Sequence, residues 1–477
     1  MRPAGMTPRD GMGRGRATAV TLITVVAALV AAPAVAASTV DEVVGEVVGE
    51  LEGVGVVYGA YASSDGSRVL VRGKGTGGDP AIVSVDIASG AVTRVSPRSQ
   101  FVTVTAQSAS GEVVAWSTDD ARPTLYVRQL GRVAPQRSLR FPPGYRRKRE
   151  VAHIAVATNG RIYALMVPRA SLGFVRTHYA LLTAAPGSAQ LEQVADPTLR
   201  GFPPGNRADW DVSPNGRVVT ICRTRGVRDA MSVIRLLNRP VVRSRRVTNR
   251  RPSYLSNCSV SDTGTAVAAG SFKTRWSGPP YRGFTIRAAK RPLALGRYGT
   301  LLSISPDGRS LIAADDDKRR LALVSLRSGR LTRLRTPPRA SYDFVTWDRR
   351  SNRAALENGR GGLALINLQR RQVRTLNTPR LAFPKPCFTA TGRLLIRADA
   401  RGGADAAVLY VSDRRLSTFS RVAPSGPLRP FYAATQCDGI APGGIPQIWL
   451  VGGGVIYSSP VERLNGTPLL AATGADD

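Results

Sequence analysis

Residues 302–315 read LSISPDGRSLIAAD, a short apolar strand, an Asp-Gly turn and a second apolar strand. An Asp-Gly pair reaches positive φ at little steric cost, so the two strands are predicted to fold back on each other antiparallel. The same fourteen-residue pattern occurs eight times, at 60–73, 104–117, 154–167, 210–223, 258–271, 302–315, 345–358 and 386–399. Its turn positions are Gly66, Gly111, Gly160, Gly216, Gly264, Gly308, Asn352 and Gly392. A second hairpin follows in most units, as in AIVSVDIASGAVTRVS (81–96) and LALINLQRRQVRTLN (363–377).

Successive turns are 40 to 56 residues apart, which suits a four-stranded propeller blade and is too long for leucine-rich or ankyrin units. Within a unit the early strands are continuously apolar and the last one alternates. That gradient predicts inner strands sandwiched between neighbouring blades and an outer strand meeting water. The predicted fold is all-β: a single β-propeller of four-stranded antiparallel blades, eight by the repeat count. Seven is the alternative, and nine is open because of the insertions in units three and four. Three further strands are expected between Pro430 and Pro460. The boundaries are 1–36, 37–56 as an N-terminal segment, 57–460 as the propeller and 461–477 as a tail.

Ser305-Pro306-Asp307-Gly308-Arg309 and Ser213-Pro214-Asn215-Gly216-Arg217, each followed by an apolar strand and a later hairpin, resemble the blades of TolB-like and WD40-like propellers of the secreted bacterial type. The resemblance covers most of residues 57–425. It implies a domain that binds proteins or stands beside a catalytic domain.

Residues 1–36 have the pattern of a secretory signal peptide. Arg2, Arg9, Arg14 and Arg16 precede an apolar run from Ala17 to Val30, and Ala34-Val35-Ala36 offers a small-residue cleavage site. Export to the periplasm, cell wall or medium is therefore expected, with no transmembrane segment in the mature chain. The cysteines Cys222, Cys258, Cys387 and Cys437 permit two disulfides in three pairings. The repeat suggests Cys222 with Cys258 and Cys387 with Cys437, because each pair falls in neighbouring units. No CxxC spacing exists and His153 and His178 are distant in sequence from every cysteine, so neither zinc nor any other cofactor is expected.

The 477-residue chain carries 67 Lys+Arg against 33 Asp+Glu, a formal charge of +34 that becomes +31 without residues 1–36. Arginine clusters fall on second hairpins, Arg243, Arg245, Arg246, Arg250 and Arg251 among them. On an outer strand they protect the edge against pairing, or they adhere to a polyanion such as an envelope polymer or an anionic surface. Aromatic residues are 6% of the chain and are not interleaved with these clusters, which argues against nucleic acid. Acids gather in loops between second and third strands, including Asp119, Asp120, Asp315, Asp316, Asp317 and Asp399. Converging on a central opening they would take a cationic ligand, and Trp276 is the aromatic expected at a ligand face; as turn residues they would only be solvated. No GxSxG, HExxH or Walker loop occurs. The expected role is a non-catalytic module that binds a protein or other ligand. Alternatives are a carbohydrate-active hydrolase or lyase with carboxylates in the central opening, and a polyanion-adhering surface protein.

Overall fold

The computed structural model describes residues 46–468 apart from connecting stretches, the longest being 169–179, 195–207, 423–430 and 434–446. The chain is a β-propeller. Every described regular element is a strand, and every strand ladder is antiparallel. Each of the eight repeats opens its own blade: strands paired in chain order begin at Val54, Val102, Arg149, Ala208, Tyr254, Thr300, Tyr342 and Ala382 for blades 1 to 8. Blade 8 has Thr467–Pro468 as a fifth strand, taken from the 461–477 segment.

A further four-stranded sheet is composite. Phe431–Ala433, Gln447–Gly452 and Val455–Pro460 come from the C-terminal stretch, and Glu46–Glu50 pairs with the last of them. Its strands contact the first strand of blade 1 and the third strand of blade 8, so it joins the two ends of the blade series. Closure by both ends of a chain ties the ring against opening at one seam.

Turn chemistry sets the first hairpin of each blade. All seven predicted turn glycines have φ between 68° and 82°. At Gly308 a Cβ would lie 2.5 Å from both Thr263 Oγ1 and Thr265 Oγ1 of blade 5, so a side chain is excluded by space as well as by conformation. The residue three before the glycine is the second recurring device. Ser305 Oγ, fully buried, donates to Asp307 Oδ1 at 2.6 Å and accepts the Ser310 N–H at 2.9 Å. Ser63, Ser108, Ser213 and Ser261 accept the equivalent N–H in their blades, and Thr389 does so in blade 8. In blade 7 Asp348 replaces the serine, accepting N–H groups of Asn352 and Arg353, which accounts for a turn there without glycine.

The core is divided into slices between blades rather than gathered at one centre. Leu70, Ile82, Val114 and Trp116 pack blade 1 on blade 2. Ile312, Leu321, Tyr342 and Leu356 do the same for blades 6 and 7. Side chains alternate across each strand, so Leu70 faces blade 2 while Val69 and Val71 face the other side. Burying a Leu or Ile contributes roughly 1.5–3 kcal/mol, and no blade can gain it alone. The expected gradient is present: the third strand of blade 1 (Pro80–Asp86) is buried at its five central residues, and its outer strand (Val92–Arg94) is only half-buried.

Candidate functional site

The first strand of each blade is an edge strand, with N–H groups that no strand of its own blade accepts. At the seam of blades 4 and 5 carboxylates supply the acceptors. Asp209 and Asp211 lie two residues apart on the strand Ala208–Val212, and so on one side of it. Asp209 Oδ2 accepts the Cys258 N–H at 2.8 Å and Asp211 Oδ2 accepts the Val260 N–H at 3.0 Å. Burial pushes both carboxyls above the usual aspartate value, against the pull of these hydrogen bonds. For Asp211 the nearby Asp209 charge pushes the same way.

Other seams are bridged by donor side chains instead. His153 Nε2 of blade 3 donates to the Gly216 carbonyl of blade 4 at 3.1 Å. Burial lowers the His153 pKa, only partly offset by that bond, so the ring is neutral at pH 7 with its proton on Nε2. Trp347 Nε1 donates to Ser303 Oγ at 2.9 Å across blades 7 and 6, and Gln107 Nε2 to the Tyr61 carbonyl at 2.8 Å across blades 2 and 1. On the turn face Arg217 of blade 4 donates to Ser64 of blade 1 at 3.3 Å, a contact spanning the ring. Asp209 and Asp211 had no part in the sequence expectation. Two aspartates at i and i+2 on an otherwise inner strand were the signal available for them.

Of the acids singled out from sequence, Asp315 and Asp316 bond within a turn and to the next blade. Asp315 Oδ1 accepts the N–H groups of Arg319 and Arg320 at 2.9 and 3.0 Å, closing its own turn. Asp316 Oδ1 accepts the Tyr281 hydroxyl of blade 5 at 2.8 Å; burial first, then this carboxylate, pushes the Tyr281 pKa up to about 12. Asp317 is exposed, and Asp399 ends the second strand of blade 8 opposite Ala407. Asp119, Asp120 and Trp276 lie outside the described residues, as do Arg250, Arg251 and Cys437. Among the described residues no three side chains able to hold a metal come together.

The cysteines and arginines divide between seam and surface. Cys222 and Cys258 form the expected disulfide, with Cα atoms 6.2 Å apart, from the second strand of blade 4 to the first of blade 5. Cys387 is disulfide-bonded as well. Arg243, Arg245 and Arg246 all lie on the outer strand of blade 4, Val241–Val247. Arg245 Nη1 reaches the Thr285 carbonyl of blade 5 at 2.5 Å. Arg235 and Arg287, from blades 4 and 5, both donate to the Thr263 carbonyl. Burial, then the charges of Arg235 and Arg243, holds the Arg287 pKa below its usual value. Among the described residues no carboxylate pairs with Arg235, Arg243 or Arg287.

No protein-family model matches the chain, and no curated protein matches it. Solved structures do, at low identity. A dihydro-heme d1 dehydrogenase, NirN, is 13% identical with a TM-score of 0.45, covering 78% of this chain and 68% of its own. An oligogalacturonate lyase in complex with manganese is 12% identical at a TM-score of 0.42, with 75% and 89% covered. The Dos1 propeller is 9% identical at 0.43, with 74% and 90% covered.

Proposed function

We propose that this chain is an exported, non-catalytic β-propeller that binds a protein or an envelope polymer at or beyond the cell envelope. One observation carries the reading: among the described residues, the buried acid-base side chains His153, Asp209 and Asp211 on first strands are committed to backbone groups of the next blade. They hold the ring together, which removes support from a carboxylate-dependent hydrolase or lyase in the opening. Export is supported by the pattern of residues 1–36 and by the disulfide Cys222–Cys258, a cross-link favoured in oxidising compartments. The Ser-Pro-Asp-Gly-Arg turn supports a likeness to TolB-like propellers.

A second reading, adhesion to a polyanion, is favoured by the acid-free convergence of Arg235, Arg243 and Arg287. Affinity capture of the tagged full chain from its own cells, washed at low and then high salt, tests both. Retention of one discrete protein through high salt supports the binding module. Release of a broad anionic fraction by salt supports adhesion through charge, since exposed charge contacts are screened. Turnover of an envelope polysaccharide that disappears in Asp209→Asn/Asp211→Asn, with the fold intact, refutes the non-catalytic reading.

A further inference from the structure

Between the outer hairpins of blades 6 and 7, away from the central strands, lies a cleft of about 280 Å³. Strand register builds its blade 6 wall. Ser310 lies opposite Ser325 and Leu323 opposite Thr332, and Leu323 and Ser325 are two apart on one strand, so all four are on the side facing blade 7. Arg330 extends this wall, and the hairpin between Gly362–Asn367 and Gln372–Leu376 of blade 7 supplies Leu368, Gln369 and Arg371. Arg371 has φ 52°, a conformation that non-glycine residues rarely adopt.

Apart from Ser325, whose Oγ accepts the Ser328 hydroxyl at 2.9 Å, the polar lining is chemically uncommitted. Ser310 Oγ, Thr332 Oγ1, the Gln369 amide and the guanidinium groups of Arg330 and Arg371 make no hydrogen bond or ion pair among the described residues. Two guanidinium groups without a carboxylate call for an oxyanion, for which their forked donors are suited. Hydroxyls and an amide that both donate and accept call for a polyol. Leu323 and Leu368 offer apolar surface to the C–H face of a ring. The volume lies just below the range of drug-sized sites and holds a single small ring with its substituents.

We propose that this cleft binds one acidic sugar residue, a six-membered polyhydroxylated ring carrying a carboxylate or phosphate, with its oxyanion at Arg330 and Arg371. The inference rests on the reading of the propeller as a binding module and names the chemistry of one of its ligands.

Isothermal titration of the full chain with glucuronate, glucose 6-phosphate, glucose and acetate at fixed ionic strength tests it. Either or both acidic sugars bind, the pair identifying which oxyanion is preferred, and glucose and acetate bind at least about tenfold more weakly, as expected from loss of charge-assisted hydrogen bonds. Arg330→Gln and Arg371→Asn each weaken binding by about tenfold or more, asparagine being tolerant of the positive φ. Thr332→Val, which keeps shape and removes a hydroxyl, weakens it by about fivefold. Arg333→Gln removes the same charge from the adjacent position of the outer strand and leaves binding unchanged. Absence of binding by both acidic sugars, acetate binding as well as glucuronate, or equal weakening by Arg333→Gln overturns the proposal. Should Arg371→Asn not fold, Arg330→Gln and Thr332→Val carry the test. Loss of this site with partner capture intact leaves the binding-module reading standing, whereas sugar turnover refutes that reading.

Discussion

Removing the Cys222–Cys258 cross-link by the double substitution Cys222→Ala/Cys258→Ala tests how the seam between blades 4 and 5 is held. The two cysteines are 36 residues apart in sequence, and both are buried, 1% and 8% exposed, in the apolar slice between those blades. Chain-entropy arithmetic for a closed loop of that length gives about 4 kcal/mol of stabilisation at 25 °C, through restriction of the unfolded chain. Oxidised wild type and the double variant are compared by urea unfolding, with the free-energy difference taken from the midpoint shift. Alanine at both positions leaves no unpaired thiol to form another bridge. Hydrogen exchange supplies a local readout: amides of Tyr254–Val260 lose more protection than those of Tyr342–Trp347 in blade 7. A loss below about 1 kcal/mol would show that the bridge does not constrain the chain as argued. Equal loss of protection in blades 5 and 7 would show that the seam is not the site of its action.

Three further outcomes are expected. Ser305→Ala leaves the Ser310 N–H without its acceptor in a buried turn and costs about 1–3 kcal/mol by urea unfolding, whereas a cost within experimental error would refute the role assigned to the hydroxyl. His153 has a lowered pKa when folded, so the unfolded chain takes up a proton first; stability is lost as pH falls below about 6.5, and His153→Gln flattens that part of the stability-pH curve. For Asp209 and Asp211 the sign is opposite. Their raised folded pKa values mean the native state binds more protons just above the ordinary aspartate value of 3.8, so their contribution is greatest at acid pH and declines as pH rises through the folded values. Asp209→Asn/Asp211→Asn removes this decline, and an unchanged slope between wild type and variant argues against the assignment.

Much of the fold was legible because turn geometry is local. Gly66, Gly111, Gly160, Gly216, Gly264, Gly308 and Gly392 all take the positive φ that their sequence context predicts. The serine at the start of the turn was less visible, because Asp348 and Thr389 take its place in blades 7 and 8, where only hydrogen bonding reveals the shared role, and Ala157 in blade 3 has no side-chain acceptor at all. The candidate sites were legible only in part. Asp315, Asp316 and Asp317 stood out as a cluster yet serve a turn and a tyrosine, while Asp209 and Asp211, scattered among apolar residues, carry the seam.

The amino-acid sequence by itself determined the blade, its repeat and the first hairpin turn, and suggested without fixing the Cys222–Cys258 pairing, since each depends on residues close along the chain or on a regular period. Only the tertiary structure decided what fills the seams. Asp211 and Val260 are 49 residues apart, and Arg330 and Arg371 face one cleft from different blades. Such meetings depend on how one blade is rotated against the next, and that rotation comes from packing of whole apolar faces, for which no short stretch of sequence holds a signal.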